Sequence, residues 1–462
     1  MIRIDILPDD VLLEIFDFHA TVDMTSRYYD KRRTEAWQSL VHVCRRWRSI
    51  VFGSQRRLDL KLYCSPETPV KDTLDVWPAL RVVIEGAPAS PSGTDNIVAA
   101  LEQSGRVRHV NLNLTSQESE QVMASMQVSF PELVDLRLMS YGKTPVIPDS
   151  FLGGSAPRLQ LLVLSSISFP GLSKLLSSAT HLAHLDLHRI PHSGYIPPQA
   201  IVAVISVLSS LEELRLGFES FQSRPNWESQ TLPPPKRSIL PALSRFSFKG
   251  TTKYLEEFMT HIDSPQLVHM HITFFNRIDF ECPRLGQFIG YTPTLMAPDE
   301  AHVQFYHRTA SVTLRSQTSK FHRGDLLIHI SCREPDRQLL SIKQVCNSAF
   351  HTLPVEDLYI EHRCLRLFWK DDAIESALWL QLLLPFTAVK NLYLSNEFAL
   401  GITDALKELV GGRMTEVLPS LQNIFVEELQ PSGSLQEIIL QFVAAQHLFS
   451  DHPIAISVWD KD

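Results

Sequence analysis

A chain of 462 residues, 44% hydrophobic and 20% charged with a mean hydropathy of −0.03, has the composition of a folded, water-soluble protein and not of a disordered or membrane-embedded one. Its 18 glycines form neither a G-x-G-x-x-G nor a Walker loop, and its six cysteines form no C-x-x-C pair, which disfavours nucleotide-dependent enzymes, zinc modules and disulfide frameworks. The net charge of −8 is uneven: residues 1–26 carry −5, Arg27 to Lys61 carry +7, and the remainder carries −10.

From the N-terminus, no apolar signal core occurs, and no run approaches the ~18 residues of a membrane span. The protein is therefore expected to be made and kept inside the cell. Pro8 suits the first turn of a helix, and Asp9 and Asp10 suit its positive end. Val11, Leu12, Ile15 and Phe16 then share one helical face. Thr21 to Thr34 is polar and reads as a loop. A second helix is predicted where Trp37, Leu40, Val41, Cys44, Trp47 and Val51 recur in steps of three and four. Two short amphipathic helices cannot bury their faces alone in about 50 residues, so they call for a partner. The basic run is compatible with nucleic acid, an acidic protein or a merely solvated face. Arg45, Arg46 and Arg48 interleave with the apolar positions, which weakens the nucleic-acid reading.

Beyond residue 62 the chain repeats. The pattern L-x-x-L-x-L, with conservative replacements, begins at Val107, Leu133, Leu159, Leu182, Leu211, Leu243 and Leu267, and again at Val355, Val389 and Leu421. The intervals are 26, 26, 23, 29, 32 and 24, then 34 and 32, of which several match the 20–29 residues of leucine-rich repeats. Each core predicts a short strand with positions one, four and six inward and a helix before the next strand. The predicted fold is thus α/β: a small helical domain over 1–62, then an irregular leucine-rich-repeat solenoid over 63–462 with one parallel sheet and helices on its outer face. Ser220 to Arg237, with three consecutive prolines, reads as an inserted loop. Helices are predicted at Thr403 to Val410, before Gly411 and Gly412, and over 435–448 behind a capping-box pattern. Residues 80–86 are a poor copy, and 274–350 break the register, although the alternation of Leu326, Ile328 and Ile330 implies a strand.

The string Ile6-Leu7-Pro8-Asp9-Asp10-Val11-Leu12-Leu13-Glu14-Ile15-Phe16, followed by Val43-Cys44-Arg45-Arg46-Trp47-Arg48, resembles an F-box, with a longer insert between the two blocks. Further strings resemble the F-box proteins abundant in mushroom-forming fungi: Pro385-Phe-Thr-Ala-Val-Lys-Asn-Leu-Tyr-Leu394, Glu408-Leu-Val-Gly-Gly-Arg-Met-Thr-Glu-Val-Leu-Pro419, His452-Pro-Ile-Ala-Ile-Ser-Val-Trp459, Ala297-Pro-Asp-Glu-Ala-His302 and Ile330-Ser-Cys-Arg333. The resemblance implies a non-catalytic subunit of an SCF-type cullin–RING ubiquitin ligase, in the cytoplasm or nucleus, that docks on an acidic adaptor and through it on a cullin scaffold. It also implies adaptor-binding roles for Leu7, Pro8, Val11, Leu12, Ile15 and Phe16, with Cys44 and Trp47 holding or extending that surface. The +7 segment agrees with an acidic partner. The alternative is a ligase-independent repeat scaffold capped by its N-terminal helices.

Other chemistry finds little support. No nucleophile elbow and no Cys/His signature occur, so no catalytic residue, metal site or cofactor is expected, and no nucleic acid or membrane partner. His181, His184, His188 and His192 have metal-like spacing, but Leu182, Leu185 and Leu187 put them on a repeat strand, with His184, Asp186 and His188 outward as a solvated or partner-binding surface. A metal-dependent hydrolase is the distant third reading. The outward fifth position of the core is mixed through the first seven copies: Asn111, Arg137, Val163, Asp186, Arg215, Ser247 and His271. In the last three it reads Tyr359, Tyr393 and Phe425, which should stand side by side as an exposed ladder, rimmed by Asp357, Glu361 and Glu427 with Asn391 and Asn423 beside them. Exposed aromatics in a row suggest the docking site of an unknown target protein. The competing expectation is that the C-terminal segment covers them. If exposed, Tyr359→Ala and Tyr393→Ala should spare thermal stability.

Overall fold

The computed structural model describes residues 7–22, 41–53, 59–67, 69–77, 80–86, 91–142, 144–220, 237–275, 282–295, 298–316, 325–349, 353–363, 376–407, 417–427 and 454–459. The chain divides into two compact units, Met1–Gly194 and Tyr195–Asp462. The predicted helix over 435–448 and residues 221–236 of the predicted insert lie outside the described residues. Among the described residues no helix is long and apolar enough to cross a membrane.

The first unit opens with helices α1 (Asp9–Val22) and α2 (Arg45–Gly53). Six parallel strands follow in chain order: β1 (Asp59–Tyr63), β2 (Arg81–Gly86), β3 (Val107–Thr115), β4 (Asp135–Tyr141), β5 (Leu161–Ser165) and β6 (His184–Ile190). Helices α3 (Val70–Val76), α4 (Pro91–Leu101), α5 (Ser116–Ser125) and α6 (Leu172–Ser178) lie between strands. Parallel neighbours need such crossovers, and the repeat length supplies them. Leu133, Leu136 and Leu138 are buried, as are Leu159, Leu162 and Leu164, so positions one, four and six do face inward. Each such side chain contributes about 1.5–3 kcal/mol by leaving water. The sheet starts earlier than expected, because Leu60 and Leu62 of β1 pair in register with Val82 and Ile84 of β2, and all four are buried. Period-two alternation suffices to make these strands without the leading half of the repeat pattern.

The second unit carries a ten-stranded sheet in the order β7 (Glu213–Phe218), β9 (Arg245–Gly250), β11 (His269–Phe274), β14 (Asp325–Ser331), β13 (Thr309–Arg315), β12 (Glu300–Phe305), β15 (Asp357–His362), β16 (Asn391–Leu394), β17 (Asn423–Glu427) and β18 (Ala455–Trp459). β8 (Ser238–Ile239) and β10 (Ile262–Asp263) form a separate two-stranded ladder. Helices α7 (Pro198–Ile205), α8 (Thr252–Met259), α9 (Pro283–Tyr291), α10 (Pro335–Ala349), α11 (Ser376–Leu383) and α12 (Asn396–Lys407) complete it; α12 starts seven residues before the predicted Thr403.

The break in register over 274–350 is an antiparallel meander. β13 runs against both neighbours, while β12 and β14 stay parallel to β15 and β11. A tight turn joins β12 to β13, with the Tyr306 N–H on the Thr309 carbonyl at 2.8 Å. The three strands keep one face apolar: Ala301, Val303, Phe305, Ala310, Val312, Leu314, Leu326, Ile328 and Ile330 are all buried. The core therefore passes through the irregular segment uninterrupted.

Candidate functional site

The N-terminal helices are held by a specific lock. Arg46 grips Asp9 with two nitrogens, at 2.6 and 3.1 Å, and also donates to the Leu7 carbonyl at 2.5 Å. Its charge is thus neutralised within the unit. Arg48 donates to the Val41 carbonyl at 3.1 Å, so part of the basic run is also engaged internally. Lys31 and Arg33 lie outside the described residues. Cys44 precedes α2; its thiol receives the Trp47 N–H at 3.5 Å and its carbonyl the Arg48 N–H at 3.1 Å. Helix α2 therefore begins later than its apolar spacing suggested, with residues 41–43 in a turn.

The eight residues expected to face an adaptor separate into two groups. Leu12, Phe16 and Trp47 are buried, with the Phe16 and Trp47 rings 5.1 Å apart. These three pack the helices together, so Leu12 and Phe16 do not present the apolar surface expected of them. Pro8 and Cys44 are exposed, Val11 is 40% exposed, and Leu7 and Ile15 are half-buried. Positions 12 and 16 form one i,i+4 ridge, directed inward, and positions 11 and 15 form the next, directed outward. Periodicity marks the whole apolar arc but cannot say which ridge is covered. Sequence reasoning missed Phe52, which stacks on Trp77 (4.8 Å, 9°) and ties α2 to the first repeat.

In the second unit, β12, β15, β16 and β17 are in register at His302, Tyr359, Tyr393 and Phe425. Neighbouring strands lie about 4.8 Å apart, close to ring-stacking distance. The four rings stack at 4.3, 4.2 and 4.5 Å with interplanar angles of 6°, 10° and 9°. Trp459 of β18 packs edge-to-face against Tyr359 and Tyr393 at 5.7 and 5.5 Å, and Ser457 lies in register beside Phe425, so the C-terminal strand borders the ladder. All five side chains are half-buried. His302 and Trp459 were missed, although apolar alternation at Ala301, Val303 and Phe305, and at Ile454, Ile456 and Val458, signals both strands.

Beside the rings runs a second column. Asn423 donates to Asn391 at 2.7 Å, and Asn391 donates to Asp357 at 2.6 Å. Glu300 lies in register with Asp357. Burial raises the Glu300 pKa, the His302 ring 3.8 Å away opposing the rise and Asp299 and Asp357 adding to it. Burial likewise raises Tyr359 and Tyr393, with Asp357 adding to both. Glu361 does not belong to an exposed rim: its side chain is 2% exposed, bound to Arg363 at 3.0 Å and to Gln304 at 2.6 Å. Taking away the guanidinium with Arg363→Met should destabilise the protein by about 2 kcal/mol, less than for a fully buried pair because Arg363 is 42% exposed. Adding Glu361→Gln should restore much of the loss; a double variant as unstable as the two single losses summed would show that the pair is not coupled.

Elsewhere, His188 meets Asp186 at 3.0 Å on β6, and the rings of His271 and His329 lie 5.3 Å apart on β11 and β14. Among the described residues no three His, Cys, Asp or Glu come together to hold a metal ion. Burial pushes the Cys64 and Cys282 thiols up to about 12, away from nucleophilic reactivity.

No family profile matches the chain, and no curated protein does. Among solved structures, the chain is similar to the leucine-rich repeat-containing protein LegL7 from Legionella pneumophila, at 12% identity over 86% of this chain and 100% of that one, with a TM-score of 0.29. That superposition is too loose to inform fold or function. The assignable class is mixed α/β, a large parallel sheet with helices in strand–helix repeats.

Proposed function

We propose that the chain is the substrate-recognition subunit of an SCF-type cullin–RING ubiquitin ligase, its N-terminal helices acting as an F-box and its second unit receiving the target. It performs no bond chemistry itself and raises the concentration of the target near the ligase. The reading is carried by one observation: Val11 and Ile15 of α1, and Leu7 and Pro8 just before it, remain accessible, although the ridge of Leu12 and Phe16 is packed. Such an uncovered apolar strip, in a chain whose Arg27 to Lys61 segment is basic, suits an acidic adaptor with an apolar contact surface.

The test is capture of purified acidic adaptor by the full chain. Ile15→Asp, or Leu7→Ala with Pro8→Ala, should abolish capture, since true anchors are worth about 2 kcal/mol or more each. Association should slow as salt rises, through Arg45 and the Lys31 to Arg33 run. Undiminished capture by both variants would sink the reading. The competing role, a scaffold capped by its own helices, is favoured by the contact between Phe52 and Trp77. It predicts that removing residues 1–53, which spares β1, lowers the melting temperature while no adaptor is ever retained.

A further inference from the structure

We infer that the aromatic ladder of the second unit docks an extended, lysine- or arginine-bearing segment of the target protein, with one side-chain cation seated beside Glu300 and Asp357. The inference deepens the receptor reading and rests on it for the occupant's being a target. Stacking decides what the ladder can offer. The faces of His302, Tyr359, Tyr393 and Phe425 are spent on one another at 4.2–4.5 Å, so a sugar or planar ligand finds few of them open. The rings are only half-buried, as is Trp459, and the Tyr359 and Tyr393 side chains hydrogen-bond each other, leaving a part-open aromatic surface suited to the aliphatic stem of a long side chain.

Charge selects the sign of that head. Glu300 and Asp357 face each other across adjacent strands, and the Glu300 side chain is only 10% exposed. Of the nearby basic groups, Arg363 pairs with Glu361 and Lys390 with Glu356, while the His302 ring lies 3.8 Å from Glu300 and can take only part of its charge. Arg315 is in register with Glu300 on the other side but makes no ion pair among the described residues. Glu300, Tyr359 and Tyr393 are all held toward their protonated forms by burial and by the neighbouring carboxylates. An incoming ammonium or guanidinium relieves that repulsion, whereas a carboxylate or phosphate worsens it.

Binding of fluorescein-labelled peptides to the full chain, read by anisotropy, tests this directly. A Lys-Thr repeat peptide should bind at least about tenfold more tightly than a Glu-Thr repeat of equal length. Glu300→Gln with Asp357→Asn, which keeps the side-chain shapes, should weaken the basic peptide by about tenfold or more. Tyr359→Phe with Tyr393→Phe keeps the stack and should weaken it a few-fold. Equal binding of the two peptides, or no effect of the carboxylate variant in a chain with an unchanged melting curve, overturns the inference. Adaptor capture is measured on the same samples. A chain that retains adaptor but ignores the basic peptide loses this inference alone; one that binds the peptide but never the adaptor loses the receptor reading.

Discussion

Phe16→Ala should destabilise the first unit by about 3–5 kcal/mol, the cost of emptying a fully buried aromatic site, while Ile15→Asp one residue away should leave stability nearly unchanged. Phe16 has no exposed surface and packs on Trp47, which itself starts the buried run continued by Ile50 and Val51. Ile15 lies half-buried on the neighbouring ridge, where a carboxylate can reach water. Denaturant titration of the full chain, followed by tryptophan fluorescence, measures the difference. An unchanged midpoint for Phe16→Ala would mean that α1 is not locked to α2, and the accessible strip argued from that lock would lose its support. On the proposed reading the two variants also part stability from docking: Phe16→Ala is expected to lose the first and Ile15→Asp the second.

Tyr359→Ala with Tyr393→Ala should lower stability by about 3 kcal/mol, contrary to the expectation from sequence that these positions are dispensable for folding. The double variant removes five ring contacts: three along the stack and two with Trp459. Each is worth about 0.5–1.5 kcal/mol, the lower end applying to half-exposed rings. Thermal melting checks it, with the phenylalanine pair as control; that pair keeps every ring contact, loses only the hydrogen bond between the two side chains, and should shift the melt little. A melt unmoved by the alanines would mean that the rings are ornamental to the fold. Because the alanine variant confounds docking with stability, the carboxylate and phenylalanine variants are the ones that report on binding.

The sequence alone determined which residues alternate. Period-two burial is a local property of an extended chain, so Leu136 and Leu138, Leu162 and Leu164, or Leu392 and Leu394 could be placed inward without knowing their neighbours. The column of Tyr359, Tyr393 and Phe425 was legible for the same reason, since equal positions in parallel, in-register strands must stand together. Tertiary structure decided everything that depends on what a distant segment covers. The apolar arc of α1 was visible, but only Trp47, arriving from α2, determines that Leu12 and Phe16 turn inward while Val11 and Ile15 stay accessible. Glu361 reads as a rim carboxylate until Gln304 and Arg363 enclose it. His302 joins the ladder because an antiparallel meander, with no repeat signature, sets β12 beside β15, and Trp459 joins it because β18 pairs with β17. Spacing along a chain encodes which side a residue faces; burial is set by the partner that comes to that side, and only the folded chain supplies it.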